Sequence, residues 1–235
     1  MKPTEPGRRG VRWRAMQAPA TGPGHVVLLG DSVFDNAAYV AGGPDVVRQL
    51  RSALPHDWRA TLAAVDGATV SGVASQMRRI PAEASHLVVS VGGNDALRDE
   101  AILHAPARSV AEGLMRLAAI RDRFAVAYRA MLDGLLATGL PVAACTIYDP
   151  RFADRLRQDL AVAGLALFND AILRAAFAHG LPVLDLRLVC DEDADYANPI
   201  EPSVKGGAKI AAGIARMVAE GRPARGVSAV FTRQV

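Results

Sequence analysis

The runs "HVVLLG" (25–30), "SHLVVSVGGND" (85–95), "LPVAACTIYD" (140–149) and "LPVLDLRLV" (181–189) begin as continuous apolar stretches rather than as alternations of apolar and polar residues. A strand with apolar side chains on both sides of its pleat must be covered on both faces, the pattern of a parallel sheet enclosed by helices. Helical patterns separate the runs: "GPDVVRQLRSAL", "VSGVASQMRRI", "RDRFAVAYRAMLDGLLATG", "RLRQDLAVAGLALFNDAILRAAFAHG" and "KGGAKIAAGIARMVAEG". With "RATLAAVDG" as the second strand, five strands each followed by a helix predict an α/β chain, a three-layer α/β/α flavodoxin-like fold with a five-stranded parallel sheet. An eightfold barrel needs more chain. Gly139 and Gly180, each just before Leu-Pro, read as helix C-caps followed by strand starts.

The 235 residues, 51% of them apolar and 22% charged, suffice for one domain with its own core. That domain is placed at residues 25–220. Residues 1–24 read as a flexible tail, and residues 221–235 as a second tail or, through "VSAVFTR", an added edge strand. Much of the excess positive charge sits at the ends, in Arg8, Arg9, Arg12, Arg14, Arg222, Arg225 and Arg233. A basic face for nucleic acid is therefore not expected. Cys145 and Cys190 are too few for a disulfide framework and read as packed thiols. No secretory apolar segment precedes residue 25, and no uninterrupted apolar run has the length of a membrane span, so the expectation is a cytoplasmic protein without one. No His, Cys, Asp and Glu cluster has metal-ligand spacing, "DEDAD" (191–195) reads as a solvated loop, and neither metal nor cofactor is expected.

The chemistry gathers at the strand ends. Strand one runs into Gly30-Asp31-Ser32, strand two into Asp66-Gly67-Ala68 and strand three into Gly92-Gly93-Asn94-Asp95, which puts all three turns on one rim of the sheet. A serine on a tight turn, backbone amides that a ligand can approach closely and an amide side chain are the components of an acyl-transfer site.

In these blocks the chain resembles the SGNH hydrolases, or GDSL esterases and lipases, over most of its length, from His25 to about Glu220. "GDSVFDN" is similar to the family's first block, "DGATVSG" to its glycine block and "VGGNDAL" to its Gly-x-Asn-Asp block. The resemblance implies that Ser32 is the nucleophile and that the N–H groups of Ser32 and Gly67 with the Asn94 amide form the oxyanion hole. It also implies a small-molecule ester or acylated carbohydrate as substrate. The family's last block, Asp-x-x-His-Pro, is altered: "NPIEPSVKGG" places Asn198 at the aspartate and Glu201 at the histidine. Another register, Asp195-x-x-Asn198, keeps the acid but displaces the following glycine.

Asn198 is expected to donate its amide to Glu201 and orient it, leaving a Ser32–Glu201 pair whose base is weak unless burial raises it. A protein that binds acylated ligands without turnover is the rival reading. Of the five histidines, only His104 follows a block from which it could reach the rim, and surface positions are expected for all. Asp31, Asp35, Asn36 and Asp95 are candidate substrate contacts, set against plainer roles: turn braces for Asp31 and Asp95, the latter facing Arg98, and a helix start for Asp35 and Asn36.

Overall fold

The computed structural model describes residues 23–221 and 227–233. The expected N-terminal tail lies almost wholly outside the described residues, as does part of the C-terminal one. In chain order the elements are β1 (His25–Gly30), α1 (Val46–Ala53), β2 (Arg59–Leu62), α2 (Val73–Met77), β3 (His86–Ser90) and α3 (Gly93–Asp99). There follow α4 (Val110–Leu136), β4 (Val142–Cys145), α5 (Arg155–Ala178), β5 (Val183–Leu184), α6 (Leu186–Val189), β6 (Tyr196–Asn198), β7 (Glu201–Pro202), α7 (Val204–Ala219) and β8 (Val230–Phe231).

The main sheet has the order β2-β1-β3-β4-β5-β8, with every pairing parallel. The first five strands follow the flavodoxin order 2-1-3-4-5. The sheet has six strands rather than five, because Val230 and Phe231 pair with Val183 and Leu184 at its edge. Alternate residues of β1 serve two cores. Val26 and Leu28 pack with Val46, Leu50, Ile210 and Ile214 of α1 and α7, while Val27 and Leu29 pack with Phe124, Leu132 and Ile172 of α4 and α5.

Helix starts follow capping chemistry: Asp45, Ser109, Asp154 and Ser203 accept the N–H of Arg48, Glu112, Arg157 and Gly206. Each such cap contributes about 1 kcal/mol. The Ser109 cap starts α4 eleven residues before the expected 121, since the more exposed turns 110–120 extend the same helix. Gly139 and Gly180 have φ of 75° and 63°, the left-handed conformation of helix ends.

The expected strand at 181–189 stops after two residues. Asp185 accepts hydrogen bonds from Thr146 Oγ1 and from the backbone N–H and guanidinium of Arg187, and its side chain caps α6 instead of continuing the ladder. Helix α5 has an 18-residue window of mean hydropathy 1.6, long and apolar enough by composition to cross a membrane. In the fold its apolarity has other uses, because Phe168, Ala171, Ile172 and Ala175 are buried in the second core and α5 packs along α4.

Two glycines bring the last block to the strand ends. A Cβ on Gly30 would lie 1.7 Å from Ser90 O, so only glycine lets β1 end against β3. A Cβ on Gly206 would lie 2.1 Å from Asp195 O, so only glycine lets α7 close on the loop before β6. That loop is solvated as expected over 191–194, but Asp195 is fully buried and accepts from Lys209 Nζ at 2.7 Å. Asp191 and Glu192 are also paired with lysines or arginines, which draws the acidic run onto α7.

Candidate active site

The three turns expected to meet are joined by hydrogen bonds. Asp35 Oδ2 accepts the Asp66 N–H at 3.0 Å, tying the serine block to the glycine block. Asn94 Nδ2 donates to Ala68 O, and Asp95 Oδ2 accepts the Val70 N–H, each at 3.0 Å, tying the third block to the second. Asp35 and Asp95 thus each spend one carboxylate oxygen on a backbone N–H and lie outside the lining of the adjoining cavity, which for Asp95 is the bracing role weighed against substrate contact.

Asn36 is corrected more strongly. It is fully buried, its Nδ2 donates to Pro202 O at 3.1 Å and its Oδ1 accepts the Val46 N–H at 3.0 Å. It therefore positions β7, and with it the neighbouring Glu201, against the start of α1.

Ser32 follows the end of β1, and its Oγ donates to Glu201 Oε1 at 3.0 Å. Both residues are buried and both line the cavity. Burial pushes the Glu201 carboxyl up to about 7, against the pull of the Ser32 hydrogen bond and with a smaller push from Asp66. Its second oxygen is buried without a hydrogen-bond partner among the described residues. Asp31 also lines the cavity, and its carboxyl accepts the Val33 N–H at 3.2 Å. Burial pushes it up to about 8, opposed by that hydrogen bond and helped by the charges of Glu201 and Asp95. Two acidic groups that hold protons near neutrality flank the serine.

The N–H groups of Ser32 and Gly67 donate to no acceptor among the described residues. Gly67 sits at φ 74° on the exposed turn after β2, outside the cavity lining, whereas Asn94 is half-buried in that lining. Asn198 departs from its expected role. It is exposed, and its Oδ1 accepts the N–H groups of Ile200 and Glu201, each at 3.0 Å. It fixes the backbone of the β6–β7 turn, with no hydrogen bond to the Glu201 carboxylate.

None of the cavity-lining residues is a histidine, His104 included. His25 and His86 are not the surface residues expected. His25 is buried at the start of β1 with Nε2 2.7 Å from Thr61 Oγ1, and the half-buried His86 packs on Trp58 with ring centroids 5.2 Å apart.

Three residues not singled out from the sequence hold the site. Gln76, buried on α2, accepts the Gly30 N–H at 2.8 Å and donates to Gly30 O at 2.7 Å, which fixes the strand end before the serine. Asn169 does the same for Ile147, and Tyr148 Oη donates to Ile200 O at 2.6 Å beside Glu201. The signal for Gln76 was a polar residue three positions after Val73 on the inward face of a short helix.

Beyond Ser32 the cavity is walled mainly by apolar side chains, among them Leu103, Leu117, Ile120, Ile147, Phe152 and Phe168. Its volume is about 120 Å³. The segment over it is held by paired contacts, Arg123 to Asp99 at 3.0 and 3.1 Å and Arg157 to Glu100 at 2.7 and 3.1 Å. The Arg157 guanidinium also stacks 3.9 Å over the Phe152 ring.

The model of the GDSL-like lipase/acylhydrolase family matches residues 28–208. Solved structures of similar fold include an extracellular lipase from Streptomyces rimosus, at 17% identity and TM-score 0.60, covering 83% of this chain and 98% of that one. The lipase Lip_vut3 from a goat rumen metagenome is 18% identical with TM-score 0.60, over 85% of this chain and 98% of that one. An acetyl xylan esterase, AlAXEase, is 17% identical with TM-score 0.58, over 80% and 96%. At these identities the likeness is one of fold, and no curated protein matches the chain. The family match runs from β1 into α7 and takes in all four blocks, the altered one included: the chain belongs to the GDSL-like lipase/acylhydrolase family.

Proposed function

We propose that the protein hydrolyses carboxylic esters of small molecules, with Ser32 as nucleophile and Glu201 as the base in place of a histidine. The observation that carries this reading is the 3.0 Å hydrogen bond from Ser32 Oγ to Glu201 Oε1 at the wall of an apolar cavity. A carboxyl held at about 7 matches the proton affinity of an imidazole, near 6.5, so at neutral pH a large fraction is ionised and able to accept the serine proton.

In this mechanism Ser32 Oγ attacks the ester carbonyl carbon and its proton passes to Glu201 Oε1. The N–H groups of Ser32 and Gly67 and the Asn94 amide take the oxyanion, each donor contributing about 100-fold to 1,000-fold in rate. As the carbon–oxygen bond to the alcohol breaks, the Glu201 proton goes to the departing oxygen. Water then attacks the acyl-serine, gives its proton to Glu201, and the acid leaves as Ser32 recovers its hydrogen. The mainly apolar cavity beside Ser32 suits the acyl group, and the alcohol side, simple or carbohydrate, faces the exposed glycine turn.

The exposed Asn198 and the unpartnered Glu201 Oε2 favour a second reading, a protein that holds acylated ligands without turning them over. A fluorophosphonate probe separates the two. Labelling that requires Ser32 and rises with pH through about 7 supports the hydrolase, and absence of labelling from pH 5 to 9 refutes it.

A further inference from the structure

Helix α5 turns one face to the cavity through Ala161, Gly164, Leu165 and Phe168, residues at helical spacing. Gly164 stands out among them. A glycine inside a long helix is less favourable than alanine, so it needs a local reason. The fully buried helical glycines have one: a Cβ on Gly213 would lie 2.8 Å from Leu184 Cδ1, and one on Gly206 would strike backbone, while at the half-buried Gly113 and Gly134 of α4 a Cβ would still meet neighbours at 3.8–3.9 Å. A Cβ on Gly164 meets no heavy atom within 4 Å. Neither packing nor backbone conformation requires glycine there, and what lies beside it is the cavity.

We propose that Gly164 is a specificity-determining residue that keeps the cavity open for an unbranched acyl chain, so that its missing side chain sets the chain length the protein accepts. This rests on the acyl-ester reading of the site. A single water needs roughly 10–15 Å³ of such space, so about 120 Å³ offers on the order of ten water-sized positions and room for a chain of roughly six to ten carbons. The mainly apolar walls favour hydrocarbon over sugar. A Cβ at 164 stands in open space on the cavity wall, to which Leu103 and Leu117 of other segments also contribute.

The test has two arms. In the first, calorimetry measures the binding of neutral methyl ketones, 2-butanone to 2-decanone, to a Ser32→Ala protein with Gly, Ala, Leu or Phe at position 164. With Gly164 the affinity should climb roughly fourfold per methylene, the gain expected for burying each one. Gly164→Phe should flatten the upper part of that ladder and lower the ratio of 2-decanone to 2-butanone affinity at least tenfold, with Gly164→Leu between. Gly164→Ala should raise the melting temperature by about 1–4 °C while shortening the ladder least. In the second arm, the ratio of kcat/KM for decanoyl and acetyl nitrophenyl esters should fall in the same order in proteins that retain Ser32.

A ladder that is flat with Gly164, or identical with Gly and Phe at 164 in folded proteins, overturns the proposal. A ladder that responds to position 164 while no ester is hydrolysed leaves the proposal standing and refutes the hydrolase reading instead.

Discussion

Glu201→Gln should make the protein more stable and less active at the same time, each through the buried carboxyl. Burial raises that carboxyl from 4.5 to about 7, so the folded state binds its proton more tightly than the unfolded chain does. The sign follows from linkage: below about pH 4.5 both states are protonated and nothing is lost, between about 4.5 and 7 stability falls as pH rises, and above about 7 the full cost of the buried charge is present. A separation of about 2.5 pH units at 1.36 kcal/mol per unit makes that cost about 3 kcal/mol. Glutamine keeps the shape and can accept the Ser32 hydrogen bond but cannot ionise. It replaces one unpartnered buried atom, Oε2, with another, its Nε2. At 2–4 °C per kcal/mol for a chain of this size, the variant should melt about 6–12 °C above the wild type at pH 8 and level with it near pH 4.5. Asp31, held at about 8, gives both proteins a shared decline with pH, so the difference between the two curves is the quantity to read. Ester hydrolysis should drop about 100-fold to 10,000-fold, the usual worth of a general base. The wild-type rate should rise with pH through a midpoint near 7, where an exposed glutamate would already be level. Melting curves by circular dichroism from pH 4.5 to 8.5, beside rate profiles, are the assay. Parallel melting curves for the two proteins, or a variant that melts lower at pH 8, would refute the account of Glu201 as a buried base.

The remaining expectations concern how that base is held. Asn36→Ala leaves Pro202 O and the Val46 N–H buried without partners, so urea unfolding should show a loss of about 2–6 kcal/mol, at 1–3 per group, and kcat should fall with β7 displaced. Unchanged kcat in the folded variant would remove Asn36 from the positioning of Glu201. Asn198→Asp with Glu201→His should preserve or raise hydrolysis at neutral pH, because the β6–β7 turn uses only the Asn198 oxygen, which aspartate also has. Complete loss of hydrolysis in that folded double variant would count against equating Glu201 with the family's histidine.

The parts of this protein that could be read in advance are those whose cause is local. A continuous apolar run that ends in glycine announces a buried strand and its end, and the serine, glycine and asparagine turns lie where the runs stop, so the rim and its three blocks were legible. The altered fourth block was legible in the same way, because the proline and glycine spacing after Glu201 survives the exchange of its acid and base. What suits Glu201 to the proposed base role was not legible, since burial pushes its carboxyl up and no spacing encodes burial. The same holds for the residues that fix the site. Gln76 reaches a strand end 46 positions away and Asn36 a carbonyl 166 positions away, and each looks in sequence like an ordinary polar residue. For Asp35 and Asp95 both a substrate contact and a structural role stayed open, because a carboxylate beside the Gly-Asp-Ser turn looks the same in sequence whether it faces a ligand or a neighbouring turn. The backbone N–H groups of Asp66 and Val70 decide that matter, and only the folded arrangement supplies them. The fourth block shows why this matters for function. In the proposed mechanism a glutamate on a solvated turn would be too weak a base for Ser32, and the burial of β7, arranged by Asn36, Tyr148 and Gly206 from three separate parts of the chain, is what pushes this carboxyl up to about 7.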